Sequence, residues 1–259
     1  MPERSTSCGR LVVDTKEALF ARAAALVTEA HARAARPEPV EPAGRAPVIA
    51  FAGGSTPQDW FRWCAANRTL PADVSACAHF TVSDERHVPL TDPQSNFGHA
   101  ARLLLDPLGV PAAHRHPWPV GLAPRAAAES YRATVRALAC PELVERAGPG
   151  RAYDLCFLGL GDDAHTASLF PGSPLLRDDD GELFAAVEVP GKGPRLTVTP
   201  SGLRACGQIV VMALGAAKAP ALARVFSGPD DVEGTPSQIL KTCAARVLWL
   251  VDPAAAAQL

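Results

Sequence analysis

Runs of apolar residues alternate along the chain with segments in which apolar residues recur at helical spacing. Continuous apolar runs are typical of strands buried in a parallel sheet, and they predict strands over residues 10–13, 48–52, 80–83, 154–158, 183–189, 195–199, 208–213 and 246–251. The helical spacing predicts helices after Asp14, from Pro57, around 97–105, over 125–146 and over 216–227. This alternation predicts an α/β protein with a mostly parallel sheet covered by helices on both faces.

The start of the first helix and one long loop bear on the domain organisation. Asp14 can cap that helix, because Glu17 follows three residues later as in a capping box. Residues 36–47 are rich in Pro and Gly, which predicts a loop, and this loop interrupts an α/β unit instead of separating two of them. We therefore predict one domain over residues 1–259, with residues 1–9 as a flexible tail.

Composition and charge narrow the class of partner. The chain has 259 residues and a net charge of −2, so its charge does not favour nucleic acid or an acidic membrane as a partner. Its seven Cys show no CxxC pair, which favours a reducing compartment over a disulfide framework. No apolar run approaches the roughly 20 residues of a membrane span, and no apolar stretch follows the charged N-terminal residues as in a signal peptide. We expect a cytoplasmic protein with no membrane partner.

Parallel sheets bind their ligands at the carboxyl ends of the strands, which places the loops at 53–57, 84–96 and 159–172 on one rim. The first of these follows a buried strand and reads GGSTP. Its glycines let the backbone approach a ligand closely, and its hydroxyls would form an anion site with the N–H groups of a helix N-terminus. A tight turn that binds nothing would need the same glycines. The candidate ligand-binding residues in this loop are Gly53, Gly54, Ser55 and Thr56.

The second loop begins with SDERHVP at residues 83–89 and continues to Ser-Asn at 95–96. Two acidic residues and a cationic one follow an apolar strand at the position where active sites of such sheets lie. They are Asp84, Glu85 and Arg86. A solvated strand end would have the same composition, so this segment alone leaves both interpretations open.

The third loop, GLGDDAHTASLFPG at residues 159–172, follows the most apolar strand. His165, with Asp163 close by, can act as a base near neutral pH. The segment also matches the G-x-G-x-x-A form of the dinucleotide-binding motif, but Pro171 and Pro174 leave too little room for the long helix that this motif requires. The role of His87 stays open, and the remaining histidines are interpreted as structural: His31, His79, His99, His114 and His116.

Cations on two further turns suit an anionic ligand. Lys192 and Arg195 lie on a Gly/Pro-rich loop before a strand, and Lys218 lies in the first turn of a predicted helix. A cation there opposes the helix dipole, so a bound anion would explain Lys218, although a solvated Lys occurs at such positions as well. The sequence has no G-x-S-x-G motif, HExxH motif or His/Cys cluster, which argues against a serine hydrolase and against a metal site.

In order and together, these five segments resemble the 6-phosphogluconolactonase family over nearly the whole chain. The resemblance implies a doubly wound, Rossmann-like α/β fold and no cofactor. It implies hydrolysis of 6-phospho-D-glucono-1,5-lactone to 6-phosphogluconate in the oxidative pentose phosphate pathway, so the expected partner is a small phosphosugar lactone.

The resemblance also implies roles for individual residues. His165 would be the catalytic base that activates water, and Asp163 or Asp84 would orient the imidazole or the water. Residues 53–56 would cradle the ligand. The phosphate and the developing charge would be handled by Arg86, Arg195 and Lys218.

The chain departs from the family at residue 164. The family has Asp-Gly-His where this sequence has Asp163-Ala164-His165. Because Ala disfavours a positive φ, we expect the loop to hold residue 164 at negative φ, so that Ala164→Gly would lower stability by about 0.4–1 kcal/mol. The PGKGPR loop at residues 190–195 also matches the Pro-rich pattern of the family less closely, which leaves the role of Lys192 open.

Two other functions fit parts of the pattern. An amino-sugar-phosphate isomerase/deaminase resembles the family in fold, but the Glu of its proton relay falls on Phe170, which cannot move a proton. A non-catalytic sugar-phosphate-binding domain would keep the cations but would not need His165. Both are retained as alternatives to lactone hydrolysis.

Overall fold

The computed structural model describes residues 3–35, 45–138, 152–177 and 181–259, which form two sheets. The strands in chain order are β1 (Glu3–Thr6), β2 (Gly9–Val13), β3 (Val48–Phe51), β4 (His79–Val82), β5 (Asp84–Arg86), β6 (Leu155–Gly159), β7 (Phe184–Val189), β8 (Gly193–Val198), β9 (Gln208–Ala213) and β10 (Val247–Val251). The main sheet has the order β1-β2-β10-β9-β6-β3-β4, and every neighbouring pair is parallel except β1 with β2. The predicted mostly parallel α/β architecture is confirmed.

The order of the strands reverses between β3 and β6. From β3 the chain continues outward to β4, whereas from β6 it continues in the opposite direction to β9 and β10. Such a reversal opens a crevice at the carboxyl ends of the two strands, where ligands bind in this class of sheet. The loops at 53–57 and 159–172 follow β3 and β6, so they flank this crevice as the sequence predicted.

Helices connect most of these strands. In the described residues the α-helices are α1 (Lys16–Ala34), α2 (Ser55–Asn67), α3 (Ala72–Cys77), α4 (Asn96–Ala100), α5 (Pro124–Leu138), α6 (Pro200–Arg204) and α7 (Ala219–Ser227). The segments in 3₁₀ or π conformation are Ala101–Leu105, Ala112–His114, Pro174–Leu176, Ala216–Lys218, Pro236–Arg246 and Ala255–Gln258. The predicted helix at 125–146 is found as α5, and its residues after 138 lie outside the described ranges, as do residues 36–44 of the predicted loop. No helix in the described ranges has the length and apolar character that a membrane crossing requires.

The cap of α1 differs from the prediction by one residue. Thr15 is the N-cap, and its Oγ1 accepts a hydrogen bond from the N–H of Ala18. Asp14 instead accepts a hydrogen bond from the N–H of Thr15 at 2.8 Å. The acid therefore stabilises the turn before the helix, and the shorter Thr hydroxyl satisfies the free N–H group of the first turn.

The N-terminal residues, predicted to be a flexible tail, belong to the main sheet. β1 pairs antiparallel with β2, so that Glu3 lies opposite Val12 and Thr6 lies opposite Gly9. Gly9 has a φ of +120°, which permits the tight turn between the two strands, and the carbonyl of Cys8 accepts a hydrogen bond from the indole of Trp249 at 2.8 Å. The tail prediction is wrong for residues 3–9, because this turn and its buried anchor fold the segment back onto β2.

A second, antiparallel sheet has the order β5-β8-β7. The sequence predicted β7 and β8 as strands but gave no sign that they leave the main sheet, and it treated β5 as loop. The register places Asp84 opposite Thr197 and Arg86 opposite Arg195. This small sheet therefore brings the SDER segment next to the PGKGPR segment on the same side of the crevice.

A packed aromatic cluster lies in the core beside β3 and β6. Phe51 of β3 stacks on Phe80 at a centroid distance of 5.7 Å and contacts Trp60 and Phe61 of α2 edge-on. Phe157 of β6 lies 4.8 Å from the Trp60 ring. Burial of several large side chains of this kind contributes several kcal/mol in total, so the loops above β3 and β6 stand on a rigid base.

Three histidines cluster at the amino-terminal end of β4, away from the crevice. Nε2 of His116 lies 2.9 Å from Nδ1 of His79, and the rings of His79 and His114 stack at 4.9 Å. Burial, together with the charges that His116 and His114 would carry, lowers the pKa of His79 to about 4. Their contacts with one another agree with the structural interpretation of these histidines.

The cluster predicts acid sensitivity. Because the pKa of His79 is lowered in the folded state from an ordinary value of 6.5, the unfolded chain takes up the proton first as the pH falls. We expect the free energy of unfolding to decrease between about pH 6.5 and pH 4, and to decrease less in His79→Gln. Urea denaturation at several pH values measures this, with His99→Gln as the control, because His99 is half-buried and lies outside the cluster. Equal pH dependence in His79→Gln and the wild type would contradict the prediction.

Candidate active site

His165 lies in a short loop that leaves the carboxyl end of β6. The N–H of Gly161 donates to the carbonyl of His165 at 2.9 Å, and the N–H of Ala164 donates to the carbonyl of Gly161 at 2.9 Å. These bonds close a three-residue loop of the kind whose third residue adopts the left-handed conformation. Ala164 occupies that position with a φ of +64°. Ala167, on the other side of His165, also has a positive φ of +47°.

The expectation of a negative φ at residue 164 is therefore wrong. The conformation is imposed by the loop closure and by Ser237, whose N–H and Oγ both donate to the carbonyl of Ala164, at 3.0 and 2.8 Å. An L-residue in this region carries roughly 1–2 kcal/mol of strain. Strain of this kind is concentrated at functional sites, where the surrounding structure maintains it.

Ala164→Gly is accordingly expected to raise stability. Relief of roughly 1–2 kcal/mol of strain is partly offset by the loss of a methyl group that is fully buried, worth about 0.8 kcal/mol. The remaining gain of up to about 1 kcal/mol corresponds to a rise in Tm of about 2–4 °C for a chain of this size. The matched control is Ala126→Gly on the exposed face of α5, which should lower stability. A lower Tm in Ala164→Gly than in the wild type would contradict the prediction.

The imidazole of His165 is hydrogen-bonded to Asp163. Nδ1 of His165 lies 2.5 Å from Oδ1 of Asp163, and the same oxygen accepts a hydrogen bond from the backbone N–H of His165 at 3.0 Å. Partial burial acts to raise the pKa of Asp163, but the two hydrogen bonds and the charge of His165 outweigh burial and hold this pKa below its ordinary value. An anionic Asp163 at Nδ1 places the proton on that nitrogen and leaves Nε2 as the basic atom.

Two neighbours pack against the imidazole of His165. A Cβ atom added to Gly161 would lie 2.0 Å from Nδ1 of His165, so the ring occupies space that only glycine leaves free. The ring of Phe170 stacks on the imidazole at a centroid distance of 4.1 Å, and Nζ of Lys192 lies 5.7 Å from the Phe170 centroid. Gly161 and Phe170 therefore contact the imidazole in addition to Asp163. The sequence had pointed to neither packing role.

Asp84 lies beside this loop but is bound by other residues. Its Oδ2 accepts a hydrogen bond from Oγ of Ser168 at 2.7 Å, and its backbone carbonyl accepts one from Nδ2 of Asn96 at 2.8 Å. Asp84 is 8% exposed and lines the same cavity as His165. The structure thus separates the two candidate acids: Asp163 contacts the imidazole, and Asp84 faces the space in front of it.

Glu85 is a structural residue that sequence reasoning left without a role. Its fully buried carboxylate accepts four hydrogen bonds, from the backbone N–H groups of Arg86, Asn96 and Phe97 and from Oγ of Ser95. Burial raises its pKa, and the hydrogen bonds oppose this rise. The carboxylate holds the start of α4 against β5, which fixes Asn96 beneath the crevice. The signal in the sequence is an acid followed, ten residues later, by a Ser-Asn helix start.

A cavity of about 230 Å³ lies between the loop of His165 and the N-terminus of α2. Gly54 caps α2 with a φ of +103°, no side chain caps the helix, and its first turn holds no acid. Lys218 lines the same cavity, where its Nζ pairs with Oδ1 of Asp162 at 2.7 Å. Helix N–H groups and an ammonium form a favourable anion site. Gly53 also leaves room for the side chain of Asn96, because a Cβ at position 53 would lie 1.9 Å from Oδ1 of Asn96.

A second cavity, of about 510 Å³, adjoins the first, and both of them are lined by Asp84, Arg86, His165 and Ala167. Arg86 and Arg195 face each other across β5 and β8, and both line the second cavity together with Lys192. Burial and the neighbouring charge of Arg86 lower the pKa of Arg195. Like charges directly opposite each other in a sheet are destabilising, so an anion between them would be stabilising.

The sequence-predicted site residues therefore come together, but not as one cluster. His165, Asp84 and Arg86 line both cavities, residues 53–56 and Lys218 line the first, and Arg195 lines the second. The sequence gave no sign that Lys218 and Arg195 line different cavities. Within the described residues no group of three His, Cys, Asp or Glu side chains is arranged to hold a metal ion.

A histidine that is hydrogen-bonded to a carboxylate and lines two adjoining cavities with nearby cations is an arrangement typical of an enzyme that acts on an anionic substrate. The family described as glucosamine-6-phosphate isomerases/6-phosphogluconolactonase matches residues 14–249, and the chain belongs to this family. The chain is similar to the 6-phosphogluconolactonase of Synechocystis sp., with 35% identity over 79% of this chain and 81% of the relative. It is also similar to that of Nostoc sp., with 35% identity over 82% and 84% of the two chains.

A solved structure shares the fold over the whole chain. The 6-phosphogluconolactonase of Trypanosoma brucei superposes with a TM-score of 0.76 at 25% identity and covers 100% of both chains. The relatives named as lactonases favour that branch of the family over the isomerase branch.

Proposed function

We propose that this chain hydrolyses 6-phospho-D-glucono-1,5-lactone to 6-phosphogluconate, a step of the oxidative pentose phosphate pathway. The observation that carries the proposal is the hydrogen bond between His165 and Asp163, because His165 lines two adjoining cavities that also contain cations. The curated relatives named 6-phosphogluconolactonase support it at 35% identity.

The reaction proceeds by general-base catalysis. Nε2 of His165 takes a proton from a water molecule as the water oxygen attacks the lactone carbonyl, and Asp163 stabilises the imidazolium that forms. The tetrahedral intermediate then collapses, the bond from C1 to the ring oxygen breaks, and His165 returns the proton to that oxygen. Catalysis of this kind contributes roughly 10²- to 10⁴-fold to the rate. An activated ester such as a δ-lactone needs no covalent nucleophile.

The two cavities match the two polar ends of the substrate. The phosphate group fits the first cavity, where the N–H groups at the start of α2 and Lys218 supply positive potential. The ion pair of Lys218 with Asp162, whose side chain is 73% exposed, contributes little stability, so Lys218 can exchange it for a phosphate. The carbonyl then points past His165 towards Arg86 and Arg195, which stabilise the developing oxyanion. Asp84 faces the reacting water.

The contact between Phe170 and His165 bears on the isomerase alternative. Phe170 stacks on the imidazole at the position where the isomerase relay has a Glu, and a phenyl ring cannot carry a proton. A non-catalytic binding domain would need the cations but would have no use for a strained loop that holds His165 against Asp163. Lactone hydrolysis uses both the cations and the loop that holds His165 against Asp163.

The proposed function is tested by measuring lactone clearance. The purified chain is added to low concentrations of the phosphorylated lactone, and the disappearance of lactone is compared with the spontaneous rate. Glucosamine 6-phosphate serves as the second substrate. Clearance above the spontaneous rate, without release of ammonia from the amino sugar, is expected. Ammonia release, or no clearance at all, would overturn the proposal.

The phosphate assignment predicts different effects for Lys218→Ala and Arg195→Ala. Loss of a charged hydrogen bond costs about 1.5–3 kcal/mol, or roughly 10- to 150-fold. Lys218→Ala should lose this factor in kcat/KM on the phosphorylated lactone and much less on unphosphorylated glucono-1,5-lactone. Arg195→Ala should lose similar factors on both. If instead Arg195→Ala is the variant that loses activity selectively on the phosphorylated lactone, the phosphate binds in the second cavity. If both variants lose the same factor on both substrates, the two cavities do not bind different parts of the substrate.

We also propose that residues 1–259 act as one cytoplasmic domain. The pairing of β2 with β10 joins the two ends of the chain in one sheet, which supports a single domain. The free thiols of Cys8, Cys64, Cys156, Cys206 and Cys243 are buried, which suits a reducing compartment.

A further inference from the structure

Phe170 is a neighbour of His165 that the reaction described above does not use. Its ring and the imidazole are 4.1 Å apart between centroids, with 26° between their planes, so the π-face of Phe170 is turned towards the imidazole. The Phe170 backbone is fixed by a turn in which its carbonyl accepts a hydrogen bond from the N–H of Ser173 at 3.0 Å. The turn therefore holds the Phe170 ring against the imidazole.

The π-face of a phenyl ring attracts a cation more strongly than a neutral group. His165 is neutral before it takes the proton from water and is an imidazolium afterwards. A ring stacked on its face consequently stabilises the charged form that arises during the reaction, and it also prevents the imidazole from tilting. Asp163 acts on the edge of the imidazole at Nδ1, so the two neighbours act from different directions.

We propose that Phe170 is a positioning residue for the lactone hydrolysis proposed above, which holds the imidazole of His165 in place and stabilises the imidazolium formed when water is deprotonated. The inference rests on the proposed function for its kinetic part. The isomerase relay needs a proton carrier at this position, and this chain has an aromatic face instead.

Other charged groups lie near the pair. Nζ of Lys192 is 5.7 Å from the Phe170 centroid and competes for the same ring. Asp84, Arg86 and Arg195 line the cavity that His165 and Phe170 share. Removal of the competing cation, in Lys192→Met, should therefore favour the imidazolium, which is the opposite of the effect expected for removal of the ring.

The test compares Phe170→Leu with the conservative variant Phe170→Tyr. Loss of a cation–π contact corresponds to about a 2- to 30-fold effect. In Phe170→Leu we expect kcat to fall by about that factor with KM nearly unchanged. We also expect the midpoint of the His165 titration, followed by NMR on the ring C–H signal, to move to lower pH. Phe170→Tyr should keep both properties near wild type, and Lys192→Met should move the midpoint to higher pH.

Two results would overturn the inference. One is an equal fall of kcat in Phe170→Leu and Phe170→Tyr, and the other is a His165 midpoint that does not move in Phe170→Leu. If Phe170→Leu does not fold, Phe170→Met fills a similar volume without a π-face and is read by the same two measurements. The NMR midpoint needs no substrate, so a wild-type chain that clears no lactone would refute the proposed function while the stacking effect is still measured.

Discussion

His165→Asn is expected to fold like the wild type and to lose roughly 10²- to 10⁴-fold in kcat, the contribution of a general base. Asn keeps a polar side chain of similar size that can still reach Oδ1 of Asp163, but it has no basic nitrogen. The side chain of His165 is 29% exposed, so its replacement should change Tm little. The loss should appear in kcat because phosphate recognition involves other residues.

The matched control for this variant is His87→Asn. His87 belongs to the SDERHVP segment, and its Nε2 lies 2.8 Å from the carbonyl of Leu122, away from both cavities. Sequence alone left its role open, and we expect wild-type kcat in His87→Asn. A His165→Asn enzyme within about 3-fold of the wild type would be outside the general-base range and would refute the mechanism.

The parts of the site that depend on local sequence could be predicted. The apolar run of β6 followed by glycines indicated a buried strand that ends at the rim, and Asp163 beside His165 indicated a base with an acid partner. Both features depend on residues a few positions apart in the chain. The GGSTP turn before α2 was predictable for the same reason, because glycine and the hydroxyl residues are the types that suit a helix N-terminus.

The arrangement between segments could not be predicted. Ser168 reaches Asp84 across 84 positions of the chain, and the antiparallel pairing of β5 with β8 places Arg86 opposite Arg195. Such contacts depend on the register of strands and on which sheet they join, and neither leaves a periodic signal. Position 53 requires glycine for the same kind of reason, because the side chain of Asn96, on a helix distant in sequence, occupies the space that a Cβ would need.

The conformation of residue 164 shows how a local inference can also fail. Ala disfavours positive φ, which argued for a negative value, but loop closure between Gly161 and His165 and two hydrogen bonds from Ser237 impose the opposite. The tertiary contacts outweigh about 1–2 kcal/mol of local preference. The Ala that stands where the family has Gly therefore adopts a positive φ at the cost of local strain.

Gly161→Ala is expected to fold and to lose about 10²-fold in kcat, the cost of a misplacement of about 1 Å at a reacting group. The backbone of Gly161 is outside the positive-φ region, so Ala fits the conformation, and its smaller unfolded-state entropy should even favour folding by about 0.4–1 kcal/mol. The new Cβ, however, would lie 2.0 Å from Nδ1 of His165 and 2.7 Å from Oδ1 of Asp163. The imidazole must therefore move and its hydrogen bond to Asp163 must lengthen.

The matched control is Gly121→Ala, where an added Cβ meets no atom within 4 Å, and it should keep wild-type kcat. Steady-state kinetics and Tm of the two variants separate misplacement of the base from loss of fold, and wild-type kcat in Gly161→Ala would show that this contact does not position His165.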